Sequence, residues 1–417
     1  MPDPRATPET PSVPWERARI SAHGAARPLA VRTVPLGAAA GLALAADLRA
    51  LHPMPSFDTA AMDGYAVAAG PGPWRVRGVV RAGASWDGVL GPGECLEIST
   101  GAPVPAGAHA VLPLESTVPG DDDGDLVSGP APEPGRHVRR TGEDAPAGSS
   151  LAPEGTRIGP ALLGLAASCG HDVLAVRPRP RVAVLVTGDE LEHAGRPGPG
   201  RVRDALGPLL PPLVAALGGA ADAPRHVPDR PAGLLAPAVR AAARTADVVV
   251  VTGSTSVGAT DQLRLLLAEA GARPVVDTVA CRPGHPMLLA RLAADRWVVG
   301  LPGNPYAALV AAHTLLGPLL AGLCGRALAP LPRVPVRGRV RPAPGRTRLV
   351  PVTWGGAGAE VADGHGAAFL HGAAVADALA AIPPDWTDGG AVPLVLMPAT
   401  PGACGGPGAS GVSGAWG

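Results

Sequence analysis

The chain has 417 residues, 46% of them hydrophobic, with 35 basic against 35 acidic side chains. A neutral balance without a basic, aromatic-laced stripe excludes a nucleic-acid-binding protein as the first reading. The material is ample for two to four packed domains. Gly 57 and Pro 51 brush the low-complexity range, yet they alternate with valine-rich runs, so a folded chain with many turns is predicted. There is no lysine, one asparagine (Asn304) and one glutamine (Gln262), a bias that mutational drift in the genome explains. Five scattered cysteines (Cys95, Cys169, Cys281, Cys324, Cys404) form no CxxC pair, which argues against a zinc ribbon and a disulfide framework. The start, MPDPRATPET, lacks the pattern of a signal peptide, and no apolar run is read as reaching the ~18 residues of a membrane span, so a cytoplasmic protein with no membrane partner is predicted.

Residues 1–52 read as a polar tail followed by a helical stretch, LGAAAGLALAADLRAL. From 53 to 148 short apolar runs (WRVRGVV, GECLEIST, HAVLPLE) alternate with Gly and Pro, the pattern of a β-rich domain. Residues 121–125 read as an acidic, solvated hairpin tip. Between 178 and 327 the grammar changes to apolar strands alternating with Ala/Leu helices: RVAVLVTG, then DALGPLLPPLVAALG interrupted by Pro211 and Pro212, then RPAGLLAPAVRAAART, DVVVVTG, DQLRLLLAEAG, WVVGLPG and NPYAALVAAHTLLGPLLAGLCG. Strands that are apolar on both faces and alternate with helices predict a doubly wound parallel sheet. Residues 328–400 return to β runs (RVPVRGRVR, TRLVPVTW, AVPLVLMP), and 401–417 should be a disordered tail.

Three strands of the α/β segment end in similar words, VTGDEL (186–191), VTGSTSVGATD (251–261) and LPGNP (301–305). Ligands bind outside the carboxyl ends of such strands. Glycine there lets backbone amides approach, and the following helix offers free N–H groups and a positive dipole end suited to phosphate. Asn304 before Pro305 is a helix-start signal. Asp189, Glu190 and Asp261 singly read as caps or solvated charges; as a set they could hold Mg²⁺ through carboxylates, waters and phosphate oxygens. In the β-rich segment DTAAMDGYAV holds Asp63, ISTGAPVPAG holds Thr100, and RRTGEDAPAG holds Arg139, Arg140, Glu143 and Asp144; on spacing alone Asp63 and Asp144 are equally Asx-turns.

Taken in order, AMDGYAV, ISTGAPVPAGAHAVLPLE, VRRTGEDAPAG, VAVLVTGDEL, VTGSTSVGATD, CRPGHP and VVGLPGNP resemble the molybdopterin molybdenumtransferases of the MoeA family, which include the E domain of gephyrin. The resemblance runs from about residue 36 to 398. It implies a homodimer of multidomain subunits: a discontinuous small domain (1–52 plus 149–177), a β-rich domain (53–148), an α/β domain similar to molybdopterin adenylyltransferase (178–327) and a C-terminal β domain (328–400). It implies a cleft between the α/β domain of one subunit and the β-rich domain of the other. The implied reaction inserts molybdate into adenylated molybdopterin with release of AMP. By resemblance Asp189, Glu190 and Asp261 bind Mg²⁺, and Gly188, Gly253, Ser256, Gly258, Arg282, Gly303 and Asn304 line the nucleotide and phosphate crevice. Asp63, Thr100, Arg139 and Asp144 complete it, with Asp63, Asp144, Glu190 and Asp261 as catalytic carboxylates. Molybdopterin adenylyltransferase and the molybdoenzymes are the implied partners.

The sequence departs from the family pattern in its anion-handling words. KPGKP reads RPGHP (Arg282, His285), the second glycine of GGVSVG is Ser254 followed by Thr255, and Asp-Ser/Thr-Asn reads Asp204-Ala205-Leu206. Gln262 replaces an aromatic, and a C-terminal serine aligns with Ala367. An arginine fork is not a lysine point charge, and His285 is mostly neutral near pH 7 unless perturbed. These departures raise the alternative of a catalytically impaired paralogue that keeps the pterin nucleotide as a binding or scaffold protein. A stand-alone adenylyltransferase is disfavoured by the AMDGYAV and TGAPVP words.

Overall fold

The computed structural model describes residues 12–119, 125–253, 262–292, 295–341, 343–356, 358–363, 366 and 369–397. The chain divides into two compact units, residues 32–176 and residues 1–31 together with 177–417.

The 32–176 unit is β-rich. Its six-stranded sheet runs Val118–Pro119, Leu126–Ser128, Trp74–Val80, Glu94–Ile98, Gly64–Ala68, Ala108–Pro113. All neighbours are antiparallel except Trp74–Val80 against Glu94–Ile98. Both faces are covered: Ala66, Leu96, Ile98 and Val111 build one core and Val67, Trp74, Cys95 and Leu112 the other. The alternation Ala66 against Val67 and Leu96 against Cys95 is the period of two that a strand imposes. A smaller piece joins strands Arg32–Pro35, Ala43–Leu44 and Val173–Arg177 with helix Pro160–Ser168 around Leu44, Ile158, Ala166 and Leu174.

The helix expected over LGAAAGLALAADLRAL does not form. That stretch is a single turn at Leu36–Ala38 and two short strands, Ala43–Leu44 and Leu48–Arg49. Gly41 sits at φ 74, a conformation that ends a helix, and the apolar residues that matter, Leu44 and Leu48, pack as strand residues. The helix that does form lies earlier, Trp15–Ala25, in what read as a polar tail. Trp15, Ala18 and Ala22 are its buried face, a helical i, i+3, i+7 stripe that small alanines make faint. It belongs with the 177–417 unit, so residues 1–52 do not form one piece.

In that second unit the sheet order is Ala220–Ala221, Arg181–Thr187, Val248–Thr252, Trp297–Leu301, Leu288–Arg291, Arg273–Asp277, and Arg225–Val227 also pairs with Arg181–Thr187. The first four are parallel, with Val182 opposite Val248 and Val248 opposite Trp297. The last two run antiparallel, so the sheet is mixed where a wholly parallel one was expected. The cause is the connection: Arg273–Asp277 and Leu288–Arg291 are joined through strand Val279–Arg282 and a turn, with no crossover helix between them. Helices cover both faces. Val182, Val184, Val248 and Val250 face Leu206–Leu217, the 305–323 helix and Trp15–Ala25, while Leu185, Val249 and Val251 face Leu235–Ala243 and Gln262–Glu269.

Pro211 and Pro212 do not interrupt Leu206–Leu217. The ladder bonds these prolines cannot make are given up on the second turn of a helix held in place by its buried Leu206, Leu210, Leu213 and Val214. The 305–323 helix passes from α to one π turn at Ala312–Leu316 and back. At 19 residues it is long and apolar enough to cross a membrane, which corrects the sequence reading, and its most apolar window is 94% buried in the unit.

Five C-terminal strands close on themselves. Arg333–Arg337 pairs with Gly358–Val361 and with Ala391–Leu396, Thr347–Gly355 pairs with Gly358–Val361 and with Ala378–Ile382, and Ala378–Ile382 pairs with Ala391–Leu396. Val336, Val350, Val352, Ala380, Ile382 and Leu394 fill the ring. The alternate residues Leu349, Leu379, Ala381 and Val395 face outward into the α/β core. Strand Val279–Arg282 bridges the two parts by pairing Cys281 with Thr347 and Arg282 with Arg348.

Candidate functional site

The carboxyl ends of Arg181–Thr187, Val248–Thr252 and Trp297–Leu301 open on a pocket of about 920 Å³. Thr187 and Glu190 line it from the first strand, Thr252 and Gly253 from the second, and Pro302, Gly303 and Asn304 from the third. The turn Arg282–Pro286 and Arg346 of the C-terminal part close the other side.

The strand ends are tight. Thr187 Oγ1 donates to the Thr252 carbonyl at 2.7 Å. Gly253 has φ 73, and a Cβ there would lie 2.6 Å from Thr187 Oγ1, so the position takes only glycine without displacement. Glu190 reaches the pocket because Gly188 precedes it at φ 140: a Cβ on residue 188 would lie 2.8 Å from the Glu190 carboxylate. Asn304 starts the 305–323 helix as expected, with Pro305 in its first turn, but makes no side-chain cap bond. Its amide lines the pocket instead, beside a helix start with backbone donors to offer.

The cations are Arg203, Arg282 and Arg346, with His285. His285 Nδ1 lies 2.7 Å from the Val279 carbonyl, so Nδ1 carries the proton and donates, leaving Nε2 as the ring's second polar atom. Cys281 also lines the pocket, but burial pushes its thiol up to about 12, with Arg346 opposing weakly, and Sγ donates to the Pro283 carbonyl. With no other group bound, it stays a thiol at neutral pH. Asp204 shows how a motif residue is spent: Oδ1 accepts from the Leu206 and Gly207 amides, both at 2.9 Å, and Oδ2 faces His193 at 3.3 Å.

Asp189 lies apart from this pocket. Its carboxylate turns away to accept from the Asp229 amide at 2.9 Å and from Arg230 Nε at 3.2 Å, and it does not line the pocket. Gly188 likewise stays out, its carbonyl bonded to His226 Nε2 at 2.8 Å. Burial first, then the charges of Asp189 and Glu190, raise Asp229 above the usual aspartate range. Asp261, Ser256 and Gly258, together with the departures Ser254, Thr255 and Ala367, lie outside the described residues. Among the described residues no group of three or more His, Cys, Asp or Glu side chains could hold a metal ion. Glu190 is thus the one member of the expected carboxylate set placed on the pocket wall by the described residues.

Four predicted residues form two pairs in the 32–176 unit, Asp63 with Thr100 and Arg139 with Asp144. Asp63 Oδ1 accepts from Thr100 N at 2.6 Å and from Thr100 Oγ1 at 3.0 Å, which holds its carboxyl below the usual range. Arg139 forks between Glu143 and Asp144. The strand pair Val138–Arg139 and Thr59–Ala60 ties these loops together. Asp58, which sequence reasoning passed over, anchors them: it accepts from Thr141 N at 2.8 Å and from Arg140 Nη1 at 2.6 Å, and it too is held low, first by the Thr141 amide. Thr187, Thr252, Arg203, Cys281 and Arg346 are further pocket residues that sequence reasoning missed. The threonines carried a signal, because both precede the glycine of a repeated VTG word. Arg346 carried none, since only the fold brings the C-terminal part to this sheet edge.

Comparison with known proteins identifies the family to which the chain is similar. Residues 13–170 match the model of the MoeA N-terminal region (domain I and II), and residues 183–322 match that of a probable molybdopterin binding domain. A Mycobacterium tuberculosis protein named molybdopterin molybdenumtransferase 2 is 37% identical over 311 residues, 71% of this chain and 75% of its own length. A Synechococcus elongatus molybdopterin molybdenumtransferase is 34% identical over 350 residues, 80% of this chain and 86% of its own. The crystal structure of a Pyrococcus horikoshii molybdopterin biosynthesis MoeA protein superposes with a TM-score of 0.75 at 28% identity, covering 93% of this chain and 99% of that one.

Proposed function

The chain belongs to the molybdopterin molybdenumtransferase (MoeA) family, and from that membership we propose that it inserts molybdate into adenylated molybdopterin with release of AMP, a step of molybdenum cofactor biosynthesis. The observation that carries the reading is the pocket at the three parallel strand ends: glycine-tight loops, a helix start with an uncommitted Asn304 amide, one pocket-facing carboxylate in Glu190 and the guanidiniums of Arg282 and Arg346. A phosphorylated pterin with an oxyanion co-substrate needs amide donors and cations at close range.

The residues divide the work by chemistry. Asn304 and the helix start hold phosphate oxygens. Arg282 and Arg346 bind the molybdate oxyanion as forks. Glu190 has the donor type a hard divalent cation takes, oxygen from one or two carboxylates completed by waters and substrate phosphates, so the residues present fit Mg²⁺. When bound, Mg²⁺ neutralises phosphate charge and polarises phosphorus. Water attacks a phosphorus of the pyrophosphate link, its oxygen forming the new P–O bond as the bridging P–O bond breaks, AMP leaves and the water's proton passes to solvent. Glu190 positions that attack, and Arg282 and Arg346 bind the oxyanion co-substrate. Asp63, Thr100, Arg139 and Asp144 serve the same reaction, with a homodimer as the working form and the cytoplasm as its place. The named relatives do not favour the catalytically impaired alternative.

The decisive measurement is molybdate-dependent AMP release from adenylated molybdopterin by the purified protein at millimolar Mg²⁺. Release that rises with molybdate is expected. Its absence at saturating molybdate, with pterin binding retained, would turn the reading to a binding protein.

A further inference from the structure

A second cavity, of about 270 Å³, lies in the same unit, where the Trp15–Ala25 helix, the π turn and the 326–332 segment meet strand Ala391–Leu396. Three basic side chains line it, Arg19, His313 and Arg326, and no carboxylate does. The rest of the wall is apolar, with Leu217, Leu331 and Val395 among its members. Neither guanidinium makes an ion pair within 4 Å among the described residues, although the Glu16 carboxylate acts on Arg19 from a longer range. Arg19 Nε is buried and unbonded, and so is Nε2 of His313, a residue only 7% exposed. Arg19 does have a support, since its Cζ lies 5.4 Å from the Trp15 ring centroid.

Buried polar atoms without partners are rare enough to need an explanation. His313 also sits in the one π turn of a long helix, a distortion found frequently at functional sites. Neighbouring polar groups do not account for it: Thr314 is occupied by the Val310 carbonyl and by Trp15 Nε1. Burial, then the charge of Arg19, pushes the His313 imidazole down to about 4, so it offers a hydrogen bond and no charge. Two guanidinium-bearing side chains and a neutral imidazole therefore line one open-sided, largely apolar cavity.

We propose that this cavity is a binding site for a carboxylate with a compact apolar body, the acid group forked by Arg19 and Arg326 and the body against Leu217, Leu331 and Val395. A carboxylate matches a planar guanidinium pair by pair, and the apolar side chains beside the arginines favour an acid with an apolar body over a hydrated inorganic anion. The ligand has two chemical sources, a free organic acid or the carboxyl end of a peptide chain.

Calorimetric titration of the full chain tests the site without any variant. The probes are isovalerate and benzoate, their uncharged amides, a hydrophobic tripeptide as free acid and as C-terminal amide, and inorganic phosphate. Acids should bind, and each amide should bind at least about tenfold more weakly, the loss of one charge-assisted pair. Tighter binding of the small acids assigns a free metabolite, and tighter binding of the tripeptide acid assigns a chain terminus; both support the site. Arg19→Met and Arg326→Met, checked for an unchanged cooperative melt, should each weaken the acid about tenfold or more. Equal binding of acid and amide, phosphate bound more tightly than every carboxylate, or no carboxylate bound at millimolar concentration overturns the proposal. These readouts do not involve molybdenum chemistry, so they stand apart from the assay of AMP release.

Discussion

The two clusters of predicted functional residues spend their polar groups in opposite ways. Around Asp63 and Asp58 the loops are closed by their own side chains: Thr100 saturates one oxygen of Asp63, Thr141 and Arg140 hold Asp58, and Arg139 is divided between two carboxylates. At the strand ends of the α/β unit, Asn304 leaves its cap bond unmade, Glu190 faces the pocket, and the 1% exposed Thr252 keeps a buried hydroxyl without a partner among the described residues. Exposed pairs such as those in the first cluster contribute little to stability. Their value lies in fixing loop shape. Unspent groups in a pocket are the ones a ligand recruits, because their hydrogen bonds are not already made.

The sharpest way to break this contrast is to remove a pocket group. Glu190→Gln should lower the rate of AMP release by about 100-fold or more, in line with loss of a positioned carboxylate, with an unchanged melting temperature. A loss under threefold would show that Glu190 is a bystander. Next, Arg346→Ala and Arg282→Ala should each raise the KM for molybdate about 10- to 100-fold, the range of one charge-assisted contact, with a smaller effect on the pterin substrate; an effect confined to the pterin would misplace the oxyanion. Gly253→Ala tests the tight strand end. At φ 73, with 2.6 Å to Thr187 Oγ1, it should cost about 1–3 kcal/mol, read as a fall in denaturation midpoint.

The smallest effect belongs to the loop cluster. Asp58 and Asp63 have folded values below the ordinary aspartate range, so each contributes stability that is present above that range and is lost as pH falls through the folded value. The wild-type melting temperature should therefore decline below about pH 4, and Asp58→Asn should flatten that acid limb by lowering the pH 7 melting temperature by the same small amount. A variant that melts much lower at pH 7 would show that the cluster is a stability element after all.

How legible was this in the sequence? The strand words were plain, because valines buried on both faces leave no ambiguity between Val248 and Val251. The three strand-end loops were legible from repeated VTG and LPG words, and so was the start of the 305–323 helix. The Trp15–Ala25 helix was not, since its buried stripe is made of Trp15 and two alanines with charged residues between. Asp189 read as a ligand by its place in VTGDEL, but adjacent residues after a strand point different ways, and Asp189 went to the 229–230 turn while Glu190 went to the pocket. Arg346 and the cavity around His313 depend on contacts between segments hundreds of residues apart, which no local pattern encodes.

The closed C-terminal ring has one more consequence. Each of its five strands already has a neighbour on both flanks. An open sheet ending in the valine-rich run that fills this ring would offer a template for recruiting further chains into cross-β stacks. Circularity removes the template, so this module can carry sticky sequence through crowded surroundings without seeding fibrils.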